Sequence, residues 1–135
     1  MTVLLTDTNI LLRCSLGRAM RHVAALVERG VGLATTDRNV AEMLDRLIEK
    51  FDVSEADAIG EVRRVLVPFV VLATDEYDRF GPEADRRLRE GGKSDWPVLA
   101  AAIALEAEIW SEDIDFFGVG VPVWTTGNLS CVSAV

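Results

Sequence analysis

Short apolar runs alternate with longer stretches in which apolar residues recur at helical spacing. Val3-Leu4-Leu5 is the first run, ended by the polar Asp7-Thr8-Asn9, and it predicts a buried strand with a turn-forming or chemically active end. A helical stretch follows, broken near Gly17. A second runs from about Arg18 to Arg29, where Gly30 is placed to stop it. Val31 to Thr35 predicts the second strand. Thr36 or Asp37 caps the next helix, whose apolar face carries Val40, Leu44, Leu47, Ile48 and Phe51. Ser54-Glu55-Ala56-Asp57 resembles a capping box, with Asp in the usual place of Glu, and opens a helix to about Leu66.

Phe69 to Ala73, after Pro68, predicts a third strand. Thr74 is expected to cap a helix that Gly81-Pro82 interrupts and Gly91-Gly92 ends. Trp96-Pro97 opens the next helix, because proline suits the first helical position. Its run from Val98 to Leu105 is apolar nearly all round, so it should be deeply buried. Ile109-Trp110 predicts a fourth strand and Val121 to Thr125 a fifth. Strands this short, alternating with helices, imply an α/β fold with a parallel sheet covered on both faces.

The chain has 135 residues, a length that suits one domain over 1–135. No apolar run is long enough to span a bilayer, and the N-terminus lacks the basic-then-apolar pattern of a secretion signal. Cys14 and Cys131 are lone thiols without metal-ligand spacing, as expected of a cytoplasmic protein. The formal net charge of −8 argues against a bulk nucleic-acid binder. It is compatible with a nuclease whose acids are cancelled by bound metal.

Several of those acids fall at telling places. In a parallel α/β fold, strand C-termini and helix N-termini share the sheet edge where ligands bind. Asp7 ends strand one, Glu42 lies early in the helix after strand two, Asp95 precedes the helix opened by Pro97, and Asp113 and Asp115 follow strand four. Each has a plainer reading. Asp95 could be a helix cap. Glu42 points almost opposite its helix's apolar stripe, as a surface acid would. Asp113 and Asp115 could shape the loop before Phe116-Phe117. Asp7 is hardest to explain away, since an acid ending a buried strand needs partners. If the acids converge, repulsion keeps at least one protonated unless a cation compensates. With no His or Cys among them, the donor set suits Mg²⁺ or Mn²⁺.

Four segments in order, Thr6-Asp7-Thr8-Asn9, Glu42, Asp95 ahead of Ala100-Ala101-Ala102, and Ser111-Glu112-Asp113-Ile114-Asp115-Phe116, make the whole chain resemble a PIN domain. That is the metal-dependent nuclease family that includes VapC-type toxin ribonucleases. The resemblance implies a three-layer α/β/α fold whose five parallel strands run in the order 3-2-1-4-5. It implies that Asp7, Glu42, Asp95 and Asp113 are catalytic and hold Mg²⁺ or Mn²⁺, with Asp115 a secondary ligand and Asn9 and Ser111 in support. The implied reaction is hydrolysis of an RNA phosphodiester, leaving a 5′-phosphate. An antitoxin partner and a homodimer are the family's usual associations. The acidity of the chain and Trp96-Pro97 directly after Asp95 depart from the family pattern.

Arg13, Arg38 and Lys93 lie in segments near this edge and are the candidate phosphate contacts, set against the plainer reading of solvated charge. Trp96 is the candidate base contact, by stacking, whereas Trp110 and Trp124 fall in strands and read as core. His22 reads as a surface or boundary residue. The cluster around Arg86-Arg87-Leu88-Arg89 is diluted by Glu83, Asp85 and Glu90 and reads as a charge-laced helix. Two other functions remain open. A non-catalytic PIN-like binding module needs no further residues. A signalling receiver domain needs an acidic pair at strand one, a phosphorylatable Asp after strand three and a lysine after strand five; Asp7 has no acidic neighbour, no lysine follows Val123, and Asp75 fills the middle role poorly.

Overall fold

The computed structural model describes Met1 to Ala134, so only Val135 of the expected domain lies outside the described residues. Its elements in chain order are β1 (Val3–Thr6), α1 (Thr8–Ser15), α2 (Met20–Glu28), β2 (Gly32–Thr36), α3 (Asp37–Glu49), α4 (Glu55–Leu66), β3 (Phe69–Leu72), α5 (Gly81–Arg87), α6 (Trp96–Leu105), β4 (Glu108–Trp110) and β5 (Val123–Trp124). The strands form one five-stranded sheet in the order β3-β2-β1-β4-β5, and every pairing is parallel. Receiver domains wind their sheet in the order 2-1-3-4-5. The observed order removes that reading.

β1 sits at the centre, Leu5 opposite Ala34 of β2 and Ile109 of β4. Successive strand residues point to opposite faces, and β1 serves two cores in this way. Leu4 packs with Ile10, Leu11, Val23, Met43 and Val65 on the α1–α4 side. Leu5 packs with Leu99, Ala101, Ile109, Tyr77 and Phe116 on the α5–α6 side. Ala100, Ala101 and Ala102 of α6 are all buried, as the all-round apolar run requires. No helix among the described residues is long and apolar enough to cross a membrane.

The segment after β3 departs from expectation. Thr74 caps no helix; two short 3-10 turns, Thr74–Glu76 and Asp78–Phe80, follow β3 instead. Gly81-Pro82 opens α5, with the proline in its first turn, where its missing N–H costs nothing. The helix stops at Arg87. Gly91 and Gly92 belong to a 3-10 turn, Glu90–Asp95, that delivers Asp95 to α6. The reason for these turns is Asp37 at the start of α3. Its carboxylate accepts the Thr74 N–H at 2.8 Å, the Thr74 hydroxyl at 2.7 Å and the Tyr77 hydroxyl at 2.6 Å, so Thr74 is engaged by another element.

Three smaller expectations also shift. α2 starts at Met20, two residues late. Phe51 lies beyond α3 and is 46% exposed, off the apolar face. Trp110 is fully buried as expected, but Trp124 is half-buried in a two-residue β5, its indole N–H donating to Glu108 at 2.6 Å.

Candidate metal centre

Asp7 directly follows β1 and is the N-cap of α1, its Oδ1 accepting the Ile10 N–H at 3.0 Å. The Ser111 hydroxyl donates to its other oxygen, Oδ2. The side chain is almost wholly buried. Burial pushes its carboxyl above the usual range, more strongly than the hydrogen bonds from Ser111 and Ile10 pull it down, and the charge of Asp113 adds to the rise.

Ser111, buried just after β4, works in two directions. While donating to Asp7, its oxygen accepts the backbone N–H of Asp113 at 2.9 Å. Asp113 in turn accepts the Asp115 N–H at 2.9 Å and caps the turn Ile114–Phe116. A short relay of hydrogen bonds therefore spaces three acids at the end of two central strands.

Asp95 joins them from the start of α6, and its side chain makes no capping bond there. Oxygens of Asp95, Asp113 and Asp115 all lie within 4.8 Å of one another. Burial first, and then the neighbouring Asp113, push the Asp95 carboxyl up to about 7. Gly92 makes the approach of this turn possible. A Cβ there would stand 2.7 Å from the Asp115 Cβ, closer than real contacts allow. Arg89 pairs with Asp115 from the same stretch.

Glu42 stands in the same cleft, of about 280 Å³, with Asp7, Asp95, Asp113 and Asp115 around it. Its position opposite the apolar stripe of α3 is therefore turned toward the sheet edge. Its carboxylate is 2.8 Å from Arg46, one turn on, and the same guanidinium donates to Asn9 Oδ1 at 2.9 Å. Asn39 lines the cleft too and locks α3 to α1, donating to the Thr8 hydroxyl at 3.0 Å and accepting from Thr36 at 2.5 Å.

The proposed substrate contacts scatter. Arg13 borders an adjoining groove that also touches Asp7, Asn9 and Asp113. The Arg38 guanidinium lies 5.2 Å from the centre of the Trp96 ring, which tilts against Tyr77 and lines a separate pocket with Asp78 and Pro82. Lys93 donates to the Asp85 carbonyl at 2.5 Å. Arg38, Lys93 and Trp96 do not line the acidic cleft. The sequence gives no site role to Arg46 or Asn39, reads Arg89 as part of a charge-laced helix and reads Gly92 as a helix end. Arg46 had a legible signal, lying four residues after Glu42 on one helix. Gly92 had none, because its neighbour Asp115 is distant in sequence.

Among the described residues the cleft offers five carboxylates and no histidine or cysteine, a donor set that fits a hard divalent ion. The raised Asp95 carboxyl fits as well, since a cation offsets both the burial and the neighbouring Asp113 charge that raise it.

The sequence model of the PIN domain matches residues 5–133. No curated protein matches the chain. Among solved structures, VapBC2 from Rickettsia felis, bound to a DNA fragment from their promoter, is similar with a TM-score of 0.70 and 15% identity, over 92% of this chain and 98% of that one. PAE2754 from Pyrobaculum aerophilum is similar with a TM-score of 0.67 and 17% identity, over 97% and 91% of the two chains. At such identities the likeness concerns the fold.

Proposed function

Since this chain belongs to the PIN domain family, we propose that it is a metal-dependent endoribonuclease, cutting RNA phosphodiester bonds at the cleft described above. The observation that most supports this is the meeting of Asp95, Asp113 and Asp115 within 4.8 Å, from segments on either side of α6 and β4. In this reading Asp7, Glu42, Asp95 and Asp113 are the catalytic acids and hold Mg²⁺ or Mn²⁺, with Asp115 a further ligand. A divalent ion so held would supply positive charge to the phosphodiester and would lower the pKa of a water molecule beside it.

The chain's own residues do the positioning. Asp7 is held at both oxygens, by Ile10 and Ser111, and so presents a fixed carboxylate. Ser111 sets the spacing between Asp7 and Asp113. Asn9 orients the opposite wall through Arg46. Arg13, in the adjoining groove, would contact a neighbouring phosphate. Arg38, Lys93 and Trp96, which do not line the cleft, would meet the strand beyond the scissile bond.

The likeness to VapBC2 supports a finer reading, in which the chain is the toxin of a toxin–antitoxin pair in the cytoplasm, with an antitoxin protein as partner and a homodimer as its own assembly. The test is incubation of a mixed RNA pool with and without Mn²⁺, followed by mapping of the ends. Cleavage leaving 5′-phosphates, abolished by chelator and by Asp95→Asn, is expected. Cleavage that persists in excess chelator would exclude the metal-dependent reading. A wild-type protein that binds Mn²⁺ and cuts nothing would leave the non-catalytic module.

A further inference from the structure

We propose that Arg46 grips a phosphate of the RNA strand in the carboxylate cleft, and that Asn9 and Glu42 aim its guanidinium for that purpose. The proposal rests on the nuclease reading above and assigns that site a substrate-binding residue. A polyanion entering this cleft meets five carboxylates, and Arg46 is the single cation lining it among the described residues. Within the cleft itself, bound metal aside, Arg46 is the protein charge able to offset repulsion of the strand, and binding of this kind rests on Lys and Arg neutralising the backbone.

The side chain is built to be presented. Arg46 sits in the last turn of α3, where the helix dipole favours a positive charge. One guanidinium nitrogen is 2.8 Å from Glu42 and another donates to Asn9 at 2.9 Å. Two helices thus fix the plane of the fork, with its side chain still 32% exposed. A guanidinium carries five N–H donors, and these two contacts leave others for phosphate oxygens, which planar forks bind best. The plainer account is a solvated pair one helical turn apart. Such pairs hold little energy, and they do not require a third partner on another helix. The Asn9 hydrogen bond supplies that third partner.

The test uses the full chain and a fluorescein-labelled single-stranded RNA. Steady-state cleavage is measured with Mn²⁺ at several salt concentrations, and Mn²⁺ binding by calorimetry without RNA. For Arg46→Ala, KM rises about tenfold or more while kcat changes little, as expected when a charge-assisted hydrogen bond to the substrate is removed. The slope of log KM against log salt becomes shallower by about 0.7, because one phosphate is no longer neutralised by the protein. Mn²⁺ affinity holds or increases, because Glu42 is freed of a competing cation. Arg46→Lys restores the salt slope but not all of KM, since an ammonium cannot fork. Arg46→Gln keeps the stem and a donor for Asn9, and it should behave as Arg46→Ala does, so the inference does not hang on one variant's folding. An unchanged KM, or a fall of kcat, RNA affinity and Mn²⁺ affinity together in both neutral variants, would overturn the role of Arg46 and leave the nuclease standing. Wild-type protein that neither binds Mn²⁺ nor cuts RNA would remove both.

Discussion

Ser111 donates its hydroxyl proton to Asp7, 104 residues earlier in the chain, and with the same oxygen accepts the Asp113 N–H at 2.9 Å. One buried side chain thus holds the first acid of the cleft in register with the acids after β4. Ser111→Ala would leave a nearly buried Asp7 oxygen unpaired and release the Asp113 backbone. Loss of stability of about 1–3 kcal/mol is expected for such an orphaned group, together with weaker Mn²⁺ binding. Urea unfolding and a metal titration measure both. A variant with wild-type stability and affinity would show the bond to be dispensable.

Asp95→Asn should act in opposite directions on fold and activity. In metal-free protein at about pH 8 it removes a charge that burial and Asp113 both oppose, so the unfolding midpoint should rise. Metal-dependent cleavage should fall on the order of 100-fold or more, since even residues behind a metal ligand are worth that much. If the same substitution lowers the midpoint, Asp95 is under no electrostatic penalty in the native state.

Stability in the presence of chelator should also decline as pH rises toward neutrality. Asp95 ionises near 3.8 in the unfolded chain but keeps its proton up to about 7 in the fold. Between those values the native state binds more protons, so raising the pH favours unfolding. Asp7, raised by burial, acts with the same sign. Asp37 opposes them on the acid side. Burial alone would raise its carboxyl, but hydrogen bonds from Tyr77 and Thr74 outweigh this and hold it low. Its contribution is present above the unfolded value and is lost as pH falls through the folded one. Urea midpoints from about pH 4 to about pH 8 should therefore pass through a maximum on the acid side, and Mn²⁺ should flatten the neutral arm. A midpoint that climbs steadily to pH 8 in chelator would contradict the crowding of these acids.

Gly92→Ala tests whether the Glu90–Asp95 turn must press on Asp115. The added methyl would lie 2.7 Å from the Asp115 Cβ, and forcing such overlap costs about 1–3 kcal/mol. Relief by displacement of Asp115 should weaken Mn²⁺ binding. Gly91→Ala, one residue away, meets nothing within 4 Å and is the control. Equal behaviour of the two variants would mean that the turn yields without disturbing the acids.

Much of this was legible from local pattern. Period and punctuation place β1 to β4 and α6 within a residue or two, because burial on both faces of a parallel sheet demands short unbroken apolar strands. Asp7 was legible for a related reason, since a charge at the end of such a strand must find partners. The departures from local expectation fall where a distant residue outcompetes a local signal. Thr74 reads as a helix cap until Asp37 takes both its N–H and its hydroxyl. Lys93 and Trp96 stand beside Asp95 in sequence, yet Lys93 is drawn to Asp85 and Trp96 lies against Tyr77.

Local chemistry in the chain was enough to specify alternating strands and helices and to put acids at strand ends and helix starts, since those preferences act over a few neighbouring residues. Which acids meet, which arginine enters the cleft, and why Gly92 must lack a side chain arise from contacts between segments far apart in sequence. Such contacts exist once the sheet has set β1 beside β4 and the turn ahead of α6 has closed on Asp115, and neither event leaves a trace in local periodicity.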